Sequence, residues 1–467
     1  MSERLLSAGE TKRRDMILNG NLWQVVIAIT LPLTIYALFN YFYGFIDFLL
    51  VSRIGTDDVG AVFFIGDVTG AIQAIGGGIA IAGSVFVARH YGAGDYREAK
   101  RYAGSSLTTA FVLALIVAIL MIAFGRPLLV LMNATPEILA KGMGYYVVQM
   151  ATTVLIAING VFMGVERAKG NTKAVMNLNL VAMAVKIALT YLFVVILSLG
   201  TFHVGLATMI AQGMLTLLGL RALFSKKSSI ALTKEDLKID VERSKEILLV
   251  ALPVIGGKFL FSVGRVVVNG MAAIYGTTAI AAFGLGSKLI GGPGAVALVF
   301  EETTASMSSQ NIGAGKLKRT FQTYGIANLY SAILGFAGMF LVMAFVDTMI
   351  PWFSTNTSPE FAPLVKAIFA FEKFSAVSSA TIGIVAGLFI GFKITKMTLI
   401  LNIIRVYVFR IPALFLLQLL GTGPIALGYV MFISNTGTAI VSLAFLVSFY
   451  VKVKNYGYLD LRIEHAA

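Results

Sequence analysis

Twelve long apolar runs fill most of this chain between residues 23 and 451, and no other feature of the sequence limits its fold so strongly. Each holds about 20 or more residues, enough at ~1.5 Å per residue to cross a hydrocarbon layer ~30 Å thick. No water is available inside such a layer to bond backbone polar groups, so each run must satisfy itself as an α-helix. In 467 residues, twelve spans and their connections leave no length for a sizeable water-soluble domain, so no ATPase or receptor module is expected within this sequence. The charged fraction of 13% is about half the ~25% of an ordinary soluble domain. The first run is too long for a signal-peptide core and shows no small-residue cleavage site, so it is expected to remain as the first helix.

The net charge of +14 raises the question of nucleic-acid binding, and the placement of the charge answers it. Most of the 37 Lys and Arg lie in alternate connections: the tails 1-22 and 452-467, the stretch 225-246, and the loops near 89-102, 166-173, 311-319 and 391-396. The opposite connections hold Arg53, Arg126 and Lys141 at most. Basic loops stay on the cytoplasmic side. The excess therefore predicts a multi-pass protein of the cytoplasmic (inner) membrane, surrounded by lipid, with both termini cytoplasmic and no nucleic-acid partner. Cysteine is absent and the histidines, His90, His203 and His465, are scattered, so neither a disulfide nor a metal cluster is expected.

Slid against itself, the sequence matches at an offset of 221 residues. Leu31-Pro32 falls on Leu252-Pro253, Gly55 on Gly276, Gly92-Ala93-Gly94 on Gly313-Ala314-Gly315, and Gly200-Thr201 on Gly421-Thr422. A two-residue insertion moves Pro136-Glu137 onto Pro359-Glu360. Six spans per half is an even number, so the halves share one orientation and are related by an axis along the membrane normal. The expected organisation is a first lobe at 23-224, a polar linker at 225-246 and a second lobe at 247-451. The linker is expected to tether the lobes, with a disordered loop as the alternative.

No Gly-x-x-x-x-Gly-Lys-Ser/Thr phosphate loop is present, and Gly313-Ala314-Gly315-Lys316 has the wrong spacing. His-Glu-x-x-His and Gly-x-Ser-x-Gly are also missing, so no enzyme of those classes is expected and no cofactor is called for. What remains is transport driven by an ion gradient, or passive conduction. Paired repeats favour rocking of one bundle against another over a fixed pore.

The string Gln310-Asn311-Ile312-Gly313-Ala314-Gly315 follows the eighth span, with Arg89-His90-Tyr91-Gly92-Ala93-Gly94 as its first-half counterpart. Arg410-Ile411-Pro412 lies in the eleventh span, and Asp47 precedes Val51-Ser52 and Gly55 at the end of the first. In these strings the chain resembles, over essentially its whole length, the multidrug and toxic compound extrusion (MATE) transporters. The resemblance implies an all-α integral membrane fold, with twelve transmembrane helices in two pseudo-symmetric six-helix lobes. It implies export of amphipathic, often cationic small molecules in exchange for protons or sodium ions. It also implies structural roles for Gln310, Asn311, Gly313, Arg410 and Pro412. A lipid-linked oligosaccharide flippase of the wider superfamily is the alternative within transport, and a channel or receptor the alternative outside it.

An ionisable side chain at the centre of a span costs roughly 3 kcal/mol on insertion scales, so each one needs a partner, a watery cavity or a function. Asp47 lies five residues before the outer end of the first span, about 8 Å below that boundary. Tyr145, Thr190 and Thr208 reach comparable depths in their own spans. By resemblance these positions form an ion-binding cluster in one branch of the family, which carries Asn-Ile-x-Leu-Asp on its fifth helix. This chain reads Lys186-Ile187-Ala188-Leu189-Thr190 there. An ammonium in place of an oxygen ligand opposes Na⁺. H⁺ therefore fits better as the coupling ion, with Asp47 paired to Lys186 when ionised and released when protonated. The plainer alternative is an Asp bonded locally near a helix end and a Lys that snorkels or contacts a substrate anion.

Asp67 and Lys288 are repeat equivalents, since 67 and 288 differ by 221, and could meet across a cleft or pair separately. Arg265, Glu301 and Glu302 are candidates to line a cleft or touch substrate, with the adjacent glutamates ~100° apart on a helix. Together with Lys258, Glu372 and Lys373, they are expected to form a buried ion-pair network. The basic excess there leaves room for anionic or zwitterionic substrates. Arg405 and Arg410, five residues apart, should sit ~140° apart around an α-helix and not share a face. Phe39, Tyr41, Phe42, Tyr43 and Phe45 encircle the first span and are expected to be mostly core and lipid-facing, the alternative being one or two that form an apolar wall for a hydrophobic substrate.

Overall fold

The computed structural model describes residues 6–132, 134–353 and 359–464. Among the described residues the chain is helical nearly throughout and contains no strand. A short helix α1 (Ala8–Asn19) precedes α2 (Leu22–Val51), α3 (Thr56–Ala93) and α4 (Tyr96–Ala123); the brief α5 (Gly125–Leu131) leads to α6 (Pro136–Ala168), α7 (Thr172–Tyr191) and α8 (Thr201–Leu223). The second half repeats the order with α9 (Val241–Ala272), α10 (Thr277–Leu289) and α11 (Gly291–Gly313), α12 (Leu317–Met349), and α13 (Phe361–Glu372) and α14 (Ser375–Gly391). It closes with α15 (Lys396–Ile403), a π-helical stretch, α16 (Ile411–Leu419) and α17 (Ala426–Glu464). Among the described residues eleven helices are long and apolar enough to cross a membrane, and α10 with α11, taken as one bent span, makes a twelfth.

Local chemistry sets the ends. The Asn21 side chain accepts from the Trp23 amide, Asp95 from that of Glu98 and Thr135 from that of Ile138, each occupying a donor that a helix start leaves unpaired. Gly94, with φ +83°, closes α3 in a left-handed turn that a Cβ would oppose.

Two departures from straight spans in the second half have a visible cause in the sequence. The bend of 47° between α10 and α11 falls just before Gly291-Gly292-Pro293-Gly294, where Pro293 offers no amide and its ring crowds the preceding turn. The chain widens to a π-helix over Ile404–Arg410. Pro412 follows directly and cannot donate to the Val408 carbonyl, so the wider turn ends where the ordinary ladder would have lost a bond.

The chain forms two compact units. The first comprises the described residues of Met1–Phe259, Glu302–Ile326 and Ile390–Thr395; the second comprises those of Leu260–Glu301, Ala327–Phe389 and Lys396–Ala467. Lipid tails are as apolar as leucine, so close packing rather than escape from water holds such helices together. In the first unit small residues provide it: a Cβ on Gly76 would lie 2.9 Å from the Ala157 Cβ, and one on Gly164 the same distance from the Ala80 carbonyl oxygen. In the second unit Phe283, Ile368 and Leu414 are buried in one cluster that draws on α10, α13 and α16.

The segment 225-246 belongs to the first unit and is packed within it. Ile230, Ala231 and Leu232 are buried, and Lys100 Nζ lies 2.9 Å from Asp236 Oδ2. A Cβ on Gly104 would come within 2.1 Å of the Asp236 carbonyl oxygen. Asp240 starts α9, and the hydrogen bond it accepts from the Arg243 amide, aided by the Arg243 side chain, holds its carboxyl below the usual aspartate range.

Candidate functional site

The first unit brings α2 and α7 together at the residues that stood out as charges in apolar runs. Lys186 Nζ lies 3.1 Å from Asp47 Oδ2. The two side chains keep 16% and 23% of their surface exposed, so the pair is sheltered without being sealed. Asp47 Oδ1 is buried and makes no hydrogen bond of ordinary geometry among the described residues. Tyr43, one helical turn before Asp47, places its ring 4.8 Å from the ammonium, a favourable seat for a cation over a π face. Tyr145 is buried nearby; its hydroxyl accepts from Gln149 Nε2 at 2.6 Å, and the Asp47 charge reaches it.

Thr190 is fully buried with its hydroxyl unpartnered among the described residues, and Thr208 donates to the Val204 carbonyl of its own helix. Neither bonds Asp47. The geometry thus joins Asp47 and Lys186 and adds Tyr43, which was expected to be a core, lipid-facing or substrate-wall aromatic, while Tyr145 bonds Gln149 and none of the three. The i, i+4 spacing of Tyr43 from Asp47 was the available signal.

The Gly-Ala-Gly strings of the two halves meet face to face, also in the first unit. A Cβ on Gly92 would lie 2.1 Å from the Gln310 carbonyl oxygen, and one on Gly313 would lie 1.9 Å from that of Arg89. Only hydrogen fits at either position. Side chains repeat the symmetry: Arg89 Nη2 donates to the Gly391 carbonyl at 2.8 Å, and Gln310 Nε2 to that of Ala168 at 2.5 Å. Positions 89 and 310 differ by 221, and 168 and 391 by 223, the offset beyond the insertion. Asn311 turns inward on its own helix, donating to the Met307 carbonyl.

Helix α1 straps this crossing. Arg14 donates to the Tyr91 and Gly92 carbonyls, and Glu10 accepts from Ser228 and Ser229. Lys316 and Arg319 donate to carbonyls of Ile17, Leu18 and Gly20 at the end of α1, where unpaired oxygens and the helix dipole favour cations.

Glu302 forms an ion pair with Arg167, so this glutamate, expected to line a cleft, binds a residue read as part of a basic loop. Glu301 belongs to the second unit, where Gly387 packs against its backbone. Asp67 and Lys288 are both exposed, the former in the first unit and the latter in the second.

In the second unit the expectation for Arg405 and Arg410 is overturned. Bonds in a π-helix run from i to i+5, so residues five apart stack on one side instead of ~140° apart. Arg405 Nε and Arg410 Nη2 share Asn435 Oδ1 at 2.7 and 3.2 Å. Arg405 also reaches Ser379 and Arg410 reaches Ser434. Among the described residues no carboxylate lies within ion-pair distance of Arg405 or Arg410, nor of Arg265, and of the residues expected to form an ion-pair network Glu302 pairs instead with Arg167. Glu372 accepts instead from Ser287 at 2.8 Å, leaving its other oxygen buried and unbonded. Pro412 occupies the first turn of α16, where its missing amide costs little.

Twelve spans in a duplicated order define an all-α, multi-pass membrane protein. The sequence model of the MatE family matches residues 32–192 and 253–416, and the chain belongs to that family. The two matches begin at Pro32 and Pro253, 221 residues apart, as the internal repeat requires. Multidrug export protein MepA of Staphylococcus haemolyticus (strain JCSC1435) is 21% identical over 338 residues, 72% of this chain and 75% of that protein. The probable multidrug resistance protein YoeA of Bacillus subtilis (strain 168) is 21% identical over 344 residues, 72% of this chain and 74% of that one. Among solved structures, an outward-facing multidrug resistance MATE family transporter of the MOP superfamily shares the fold with a TM-score of 0.90. It is 21% identical, and the match covers 97% of this chain and all of that one.

Proposed function

We propose that this chain is a secondary active antiporter that exports an amphipathic organic solute across the cytoplasmic membrane by alternating access, with H⁺ as the coupling ion and Asp47 as its carrier. The contact of 3.1 Å between Lys186 and Asp47 carries this reading. In a sheltered setting an ion pair offsets the cost of desolvating both charges only while both are present. A proton arriving on Asp47 removes one charge, leaves Lys186 uncompensated over Tyr43, and frees α2 and α7 to repack. The bistable element is then the α2–α7 contact, biased by one local electrostatic event. An ammonium at this position stands where a sodium ion would need oxygen ligands, which supports protons over sodium.

Family membership and the names of the relatives, multidrug export and multidrug resistance proteins, support export of a small amphipathic molecule. The basic connections support a cytoplasmic placement of both termini, of the linker 225-246, and of the Gly-Ala-Gly crossing, with lobes at 23-224 and 247-451 on either side of that linker. The test uses purified protein in liposomes with a panel of cationic, zwitterionic and anionic dyes. An imposed pH gradient is expected to drive dye accumulation that saturates with concentration. A steady conductance that neither saturates nor follows the pH gradient would refute the carrier.

A further inference from the structure

Three guanidinium groups surround a single phenyl ring in the second unit. The Arg405, Arg410 and Arg265 carbons lie 5.0, 5.5 and 5.9 Å from the centre of the Phe261 ring. Arg405 and Arg410 are held from behind by Asn435, Ser379 and Ser434, all neutral groups that orient a guanidinium without cancelling its charge. Arg265 is exposed and makes no hydrogen bond or ion pair among the described residues. The charges of Glu372 and Glu301 reach Arg410 and Arg405 from beyond ion-pair distance, and Arg265 and Arg410 repel each other. A phenyl face attracts cations weakly. It cannot offset mutual repulsion of three cations inside apolar spans.

We propose that Arg265, Arg405 and Arg410 form a site for the anionic head, a carboxylate or phosphate, of an amphiphilic molecule. Guanidinium is the side chain best shaped for such heads, since its planar fork can bond two oxygens at once. The π-helix is what makes the site, because on an α-helix Arg405 and Arg410 would point apart. The Phe261 ring between the three guanidiniums supplies an apolar contact for the part of the molecule next to the head. As a contact for the exported solute the site rests on the export reading above; as a binding site it is measurable without transport.

The full chain in neutral maltoside micelles is titrated with radiolabelled dodecyl phosphate and, separately, with dodecyltrimethylammonium, which has the same tail and the opposite charge. The natural protein is expected to bind the phosphate at least ~10-fold more tightly. Arg265→Gln, a change at an exposed position, is expected to weaken dodecyl phosphate by about tenfold while binding dodecyltrimethylammonium at least as tightly as before. Arg265→Lys should recover part of the loss. Competition by inorganic phosphate would support the site and show that the charged head alone is read. Competition in phosphatidylglycerol nanodiscs but not in phosphatidylcholine nanodiscs would also support it and assign the occupant to a lipid headgroup. Equal affinity for the two amphiphiles, or loss of both together in R265Q, would overturn it. Persistent Arg265-dependent binding in a protein that shows no gradient-driven export would leave the site standing and sink the export reading instead.

Discussion

Asp47→Asn abolishes uptake driven by a pH gradient in liposomes, by two orders of magnitude or more, and the loss is not repaired by restoring stability. The amide keeps the size of the carboxylic acid and cannot take up or release the proton. It also leaves Lys186 without its partner, and the partial exposure of both side chains limits that cost to about 1 kcal/mol. Lys186→Gln leaves Asp47 uncompensated at a similar cost. In the double variant neither charge remains, so the thermal unfolding midpoint returns toward that of the natural protein while gradient-driven uptake stays absent. This combination separates a coupling role from a structural one. If the pair only held α2 to α7, transport would recover with stability.

The second large effect is expected at the Gly-Ala-Gly crossing. A methyl group at Gly313 would have to occupy a point 1.9 Å from the Arg89 carbonyl oxygen, and one at Gly92 a point 2.1 Å from that of Gln310. Both obstacles are backbone, which cannot rotate away as a side chain can. Either Gly→Ala change must force the helices apart, at a cost of about 3 kcal/mol. Separation also strains the Arg89 and Gln310 hydrogen bonds, so thermal stability in detergent and transport should fall together. Gly325→Ala, in the same unit but with nothing within 4 Å of the new methyl, serves as the control and should be neutral or slightly stabilising. The Gly92→Ala and Gly313→Ala losses should not add, because the first methyl opens the gap that the second enters.

Which features could be read from the sequence follows from how they are encoded. Span number was legible because a hydrocarbon layer leaves the backbone one solution, and the repeat was legible because glycine and proline positions survive at one offset. The Asp47–Lys186 pair was legible for a related reason: charges in apolar runs are few, so their partners are few. Arg405 and Arg410 were misread because the 100° rule assumes an α-helix. Pro412, two residues beyond, was the sign that the ladder would be interrupted.

Glu302 and Arg167 are 135 residues apart and share no periodic pattern, so only the fold could join them. Equivalence of Gly92 and Gly313 was plain in the repeat, but equivalent positions need not touch, and that these do is a fact of three dimensions. Arg14, Lys316 and Arg319 counted in the sequence only as topology charges. In the fold, Arg14 binds carbonyls at the end of α3, and Lys316 and Arg319 bind those that α1 leaves open.

If a proton on Asp47 drives exchange, a pH gradient and a sodium gradient must act differently on the natural protein. Liposomes containing the natural protein are given either a pH gradient in sodium-free buffer or a sodium gradient with pH clamped equal on both sides, and dye accumulation is followed in each. Accumulation is expected in the first and not in the second. Accumulation driven by sodium alone, with no response to the pH gradient, would rule out a proton on Asp47 as the coupling event.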